Sequence, residues 1–310
     1  MRTQLPFALL ATAVACSFAT APAHARARVF VASYGNDANP CTFGSPCKTF
    51  QQAVNVVDAG GEVTAIDSAG FGPINISKAV TITSPDGVEA GIVPAVSGGN
   101  SITINAGPGD DVSLSGLTMD GGGTGNGILF DSGKSLTVEN SRMRHFTHGI
   151  LFQPNASSSL TVSNSLLSAN YDGIIAIPTG SGSFTIVINR GEAINNINNG
   201  IEVDGNNCTG TVNVTVSDSV VSGNTDAGIF GGTDSSHAPT TIMVFRSVIA
   251  NNSTGLFSSG IGATLFLAYS TVTGNAGGWA AGPGVLQSYG NNSINGNGAS
   301  ENAPPSVGLK

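Results

Sequence analysis

The stretch Leu160-Thr161-Val162-Ser163-Asn164-Ser165-Leu166-Leu167-Ser168-Ala169-Asn170-Tyr171-Asp172-Gly173-Ile174 carries three markers that return along the chain. One is a polar or small residue, then Gly, then a large aliphatic. It recurs as Asn126-Gly127-Ile128, His148-Gly149-Ile150, Asp172-Gly173-Ile174, Asn199-Gly200-Ile201, Ala227-Gly228-Ile229 and Thr254-Gly255-Leu256. These glycines (127→149→173→200→228→255) lie 22, 24, 27, 28 and 27 residues apart. A second column is Ser141, Ser165, Gly191, Ser219, Ser247 and Ser270, and five residues after each comes Phe146, Asn170, Asn196, Asn224, Asn252 or Asn275. A unit this short cannot bury an apolar face alone, so it must stack on its neighbours.

Within each unit the apolar residues alternate. Leu136/Val138, Leu160/Val162, Ile186/Ile188, Val214/Val216, Ile242/Val244 and Leu265/Leu267 precede the Ser column, and Met143, Leu167, Ala193, Val221, Ile249 and Val272 follow it. Period two means strand. Three short strands per unit, joined at Asn and Gly, predict an all-β fold: a single-stranded parallel β-helix, a solenoid with three strands per coil. Eight to ten coils are expected, roughly 45 Å in length at the interstrand spacing. The Asn column is expected to take left-handed turn geometry and to form an amide ladder. The glycines are expected where a Cβ would clash.

Residues 1–25 read as a signal peptide, with Arg2, an apolar run from Phe7 to Val14, and a small-x-small site at Ala23-His24-Ala25. Cleavage is expected after Ala25, giving a secreted or periplasmic protein. Cys16 after Val14-Ala15 faintly resembles a lipoprotein site, but Ala13 stands where Leu would. Without residues 1–25 the chain loses one basic residue, Arg2, leaving ten basic against 19 acidic and a net charge of −9. That balance disfavours nucleic acid and anionic membranes. Cys41 and Cys47 bracket a short loop and could close as a disulfide, while Cys208 is left over. No spacing suggests a metal, and no cofactor is expected.

Residues 26–60 are expected to hold an N-terminal strand and a capping helix. Between Ser45 and Gly60, Ser45 would cap, Pro46 would open, and Phe50, Ala53, Val54 and Val57 would form the apolar stripe. The β-helix proper is assigned to residues 61–298. Beyond it, residues 299–310 read as a loose tail.

The chain resembles the bacterial secreted right-handed parallel β-helix proteins of the pectate-lyase-like superfamily. The resemblance covers about residues 28–298. It rests on Val29-Phe30-Val31-Ala32-Ser33-Tyr34-Gly35-Asn36-Asp37, Pro46-Cys47-Lys48-Thr49-Phe50-Gln51-Gln52-Ala53, Pro73-Ile74-Asn75-Ile76-Ser77-Lys78-Ala79-Val80-Thr81-Ile82 and the repeats. It implies the fold and its handedness. It does not imply one activity, because such proteins include lyases, hydrolases, epimerases and depolymerases. A lyase of this kind would be expected to carry a carboxylate cluster for Ca²⁺. Asp131 and Asp204 share a column but stand three coils apart, roughly 14 Å, too far to share an ion. No catalytic residue is carried over.

One coil concentrates positive charge at Arg142, Arg144, His145 and His148, with Asp120 expected near His145 and Asp172 about 5 Å from His148. These six residues are the candidate binding set, and His148 with Asp172 the candidate catalytic pair. The plainer reading is that polar residues occupy solvent-facing turns. Near the C-terminus, Phe230, Met243, Phe245, Phe257 and Phe266 fall at outward positions, an apolar surface for a protein partner, self-association or sugar stacking unless a bulge, a loop or the tail accounts for them. The expected function is non-catalytic interaction with a carbohydrate or surface. Alternatives are a polysaccharide lyase or glycoside hydrolase acting on an acidic glycan, or a structural, self-associating protein.

Overall fold

The computed structural model describes residues 27–308, so the expected signal peptide lies outside the described residues. Three parallel sheets run the length of the molecule, with 11, 10 and 9 strands. They are called here the first, second and third sheet, in the order the chain visits them within a coil. In one coil the strands are Ser135–Glu139, Arg142–Arg144 and His148–Phe152. Each pairs with its equivalent one coil on: Leu136 with Leu160, Met143 with Leu167, and Ile150 with Ile174. This is the expected right-handed parallel β-helix, with the handedness general to parallel crossovers. The core is the set of inward columns, Phe130, Leu136, Met143, Phe152, Ile186 and Val244 among them, all buried.

The two corners within a coil are held differently. Between first and second sheets, each Ser hydroxyl accepts from a backbone N–H of the preceding coil: Ser141 from Leu117, Ser165 from Ser141, and Ser219 from Gly191, at 3.1–3.2 Å. Between second and third sheets the Asn ladder forms. Asn170 donates to Asn196, Asn196 to Asn224, Asn224 to Asn252, and Asn252 to Asn275, at 2.9–3.2 Å. The ladder runs one rung further than the repeats suggested, to Asn297, whose N–H is capped by Glu301.

The left-handed geometry expected of the ladder asparagines belongs to the residue just before them. His145, Ala169, Asn195 and Asn251 have φ of 54–59°, and Gly223 and Gly274 fill the same place. The ladder residues turn inward because their amides must reach buried carbonyls. The repeat glycines 127, 149, 173, 200, 228 and 255 do not have positive φ; a Cβ there would meet the next coil's carbonyl oxygen at 2.4–2.7 Å. They are spatial requirements, not turn-formers.

At the N-terminal end, helix α1 spans Phe50–Val56, not the longer segment from Ser45. Cys47 is held extended by hydrogen bonds with Phe30 and Ala32, which forbids an earlier start. Thr49 therefore caps the helix, its hydroxyl accepting from Gln52 N–H at 3.2 Å. Phe50 packs on Phe71, ring centroids 4.8 Å apart, and covers the first coil. Cys41 and Cys47 form a disulfide. The C-terminal residues are tied down rather than loose: Ser306 bridges Ser288, and the Trp279 indole donates to Asn302 O at 2.8 Å.

Candidate functional site

The basic coil does not form one cluster. Arg142 and Arg144 flank inward Met143 on the second sheet, and His145 turns the corner toward the third. Arg144 Nε donates to Asp120 at 2.9 Å, and His145 Nδ1 lies 2.9 Å from the other carboxylate oxygen. Burial alone would raise Asp120, but the His145 hydrogen bond, the Gly122 N–H and the charges of His145 and Arg144 together hold it below the usual range. Arg144 and Asp120 are thus committed to each other as a surface ion pair.

Arg142 stands apart. Among the described residues it is the basic side chain with no recorded acceptor, whereas Arg28, Lys134, Arg144 and Arg246 pair with carboxylates and Arg190 bonds to Asn164. It lines two adjoining surface grooves. One, of about 440 Å³, is walled by Ser84–Glu89, Gly116, Thr118 and Asn140. The other, of about 590 Å³, is walled by Asn140, Asn164, Leu166, Arg190 and Glu192. Asn140 and Arg142 belong to both, so the two meet at the corner between first and second sheets. Asn140, Asn164 and Arg190 all have φ of 46–52°, the left-handed residue that each corner needs. Their side chains offer amide and guanidinium groups in a row. The sequence reading did not single them out, although each immediately precedes the Ser/Gly marker.

His148 and Asp172 do meet, on the third sheet, where they are register partners. His148 Nε2 is 3.7 Å from Asp172 Oδ2, longer than a hydrogen bond. A polar row surrounds them. Asn126 donates its amide N–H to Asn100, which leaves its oxygen facing His148 Nδ1 at 2.7 Å. In that amide orientation Nδ1 carries the proton and Nε2 the lone pair. Asp172 is nearly enclosed and accepts from Asn198 and from Asn199 N–H. Burial pushes His148 down, partly offset by the Asp172 charge. It pushes Asp172 up, against the bonds from Asn199 and Asn198 and the charge of His148. Glu202, bonded to Asn199 at 2.7 Å, is also raised, first by burial and then by neighbouring acids. Among the described residues no group of three or more His, Cys, Asp or Glu could hold a metal ion.

The apolar positions are in register and half-buried, but they lie on two sheets. Phe230 and Phe257 pair edge-on at 5.5 Å on the third sheet, while Met243, Phe245 and Phe266 belong to the first.

No family model and no curated protein sequence matches the chain. Solved structures do match in fold. Alignment with pectate lyase Pel9A has a TM-score of 0.53 at 16% identity and covers 89% of this chain and 80% of that one. Alignment with an alginate lyase from Paenibacillus sp. str. FPU-7 has a TM-score of 0.55 at 16% identity and covers 91% and 98%. The fold is that of the pectate-lyase-like parallel β-helices. At this identity the likeness extends to the fold alone and leaves the chemistry to the residues.

Proposed function

We propose that this is an exported, non-catalytic β-helix that binds an acidic polysaccharide along the corner between its first and second sheets. The observation that carries the reading is Arg142, an uncommitted guanidinium where two polar grooves meet. A guanidinium recognises a sugar carboxylate bidentately, and flanking amides suit hydroxyl groups. Pectate and alginate, on which the fold neighbours act, supply that chemistry. Export is supported by the Cys41–Cys47 disulfide, which suits an oxidising compartment.

A charged hydrogen-bonded contact contributes about 1.5–3 kcal/mol, so Arg142→Ala is expected to weaken binding by roughly tenfold or more. Calorimetric titration with pectate and alginate oligomers tests this. Affinity that falls in the variant and falls with added salt supports the reading; affinity indifferent to Arg142 contradicts it.

The second reading is catalysis, favoured by the His148–Asp172 pair. A neutral imidazole with a free Nε2 lone pair beside a buried carboxyl is suited to taking a proton from a bound sugar. Release of unsaturated product that is lost in His148→Ala would establish it.

A further inference from the structure

The corner that holds the grooves continues beyond them. Its left-handed residues are Asn140, Asn164, Arg190, Asp218, Arg246 and Tyr269, one per coil. The first three line the grooves. Asp218 accepts from Arg246 at 2.8 Å, and that guanidinium lies over the Phe245 ring, 4.7 Å from its centroid. Phe245 in turn meets Tyr269 edge-on at 5.6 Å, and Phe266 meets Tyr289 at 6.2 Å. Along this corner the polar groove thus gives way to two aromatic pairs, in which Tyr269 is 60% exposed.

We propose that Phe245, Phe266, Tyr269 and Tyr289 form a stacking platform for pyranose rings, and that one extended glycan chain spans from Arg142 to this platform. The proposal rests on the glycan reading above and adds to it a second contact and a ligand length. Tyrosine presents a flat apolar face, negative at its centre, and a polar edge. The weakly positive C–H face of a sugar ring fits the former, and its hydroxyls fit the latter. Local charge cancels, because Arg246 is committed to Asp218. On the first sheet Phe245 lies between Ser217 and Ala268, and Phe266 between Met243 and Gln287, so the positions beside the rings are uncharged. A protein partner is the weaker fit, since a handful of half-buried side chains falls short of the roughly 800 Å² per partner that a stable interface buries. Arg142 and Tyr269 are five strand steps apart along the second sheet, roughly 24 Å at the coil spacing. Only an oligomer of several residues can reach both.

The test compares trimers with long oligomers of pectate and alginate, and includes neutral cello-oligosaccharides. Tyr269→Asn with Tyr289→Ser removes two rings while Asn accepts the left-handed backbone, φ 51° in the wild type. Tyr269→Phe keeps the ring and serves as the folding control. Long acidic oligomers are expected to bind the double variant about tenfold more weakly and Tyr269→Phe normally, with trimer affinity unchanged; a bridging contact supplies such a gain through effective concentration. Arg142→Ala is expected to weaken both lengths. Long-oligomer affinity unchanged in the double variant overturns the platform and leaves the Arg142 reading standing. Tyrosine-dependent binding of neutral oligomers only keeps the platform and removes the Arg142 reading. No glycan binding, with self-association that the double variant abolishes, overturns both.

Discussion

His148 sits between an amide that takes its Nδ1 proton and a carboxylate that faces its Nε2. Burial outweighs the attraction of Asp172, so its pKa lies below the ordinary 6.5 and the ring is neutral at pH 7. Between its folded pKa and 6.5 the unfolded chain binds more protons. This contribution to stability is therefore present above pH 6.5 and is lost as pH falls through the folded value. Asp172 has the opposite sign: its raised pKa disfavours the folded state as pH climbs through the carboxylate range. Asp172→Asn removes the attraction and should lower the His148 pKa further. Titration of the imidazole by NMR checks both statements, and a pKa above 6.5, or one that rises in Asp172→Asn, would contradict them. That His148 stacks on Asp172 was legible in the repeat register. The roles of Asn126, Asn198 and Asn199 were not, because side-chain reach across coils has no signature in spacing. Arg142 was legible as a charge, but its lack of a partner depended on where Asp120 points.

The strands of each coil were readable from alternation, since one face of every strand is core. The corners were not, because two physical demands fall on adjacent residues. One residue must take a left-handed φ, and the next must put a hydrogen-bonding side chain inside. Sequence marks the second plainly, as Ser or Asn, and the first only loosely, since Arg190, Arg246 and Tyr269 take the left-handed place as readily as Asn140 and Asn164 do. The repeat glycines show the same confusion of space with conformation. A Cβ on Gly200 would lie 2.7 Å from Gly228 O and 2.7 Å from the Asn224 amide nitrogen, so Gly200→Ala must shift backbone and disturb a ladder rung. Overpacking of this kind costs about 1–3 kcal/mol. Gly44, with open space around it and no positive φ, should accept Ala with little change. Chemical denaturation of the two variants distinguishes them, and equal stability would show that the glycine column is not a packing requirement. The helix boundary moved for a comparable reason, since the backbone bonds of Cys47 override the favourable Ser-Pro start.

At the scale of the molecule, the solenoid closes both ends against edge pairing. Helix α1 covers one, and at the other the Glu301 cap and the Trp279–Asn302 contact hold the final segment on the last coil. No helix among the described residues is long and apolar enough to cross a membrane. Between the covered ends the polar corner with Arg142 runs toward the tyrosines, and the His148–Asp172 pair lies on a different sheet. The separation lets binding and turnover be tested apart, and the proposed function is that only the first is present. The most direct measurement follows binding and ultraviolet-absorbing product in one experiment, with residues 26–310 and purified pectate and alginate. The account predicts saturable, Arg142-dependent binding with no product. Product that accumulates with time and disappears in His148→Ala would contradict it.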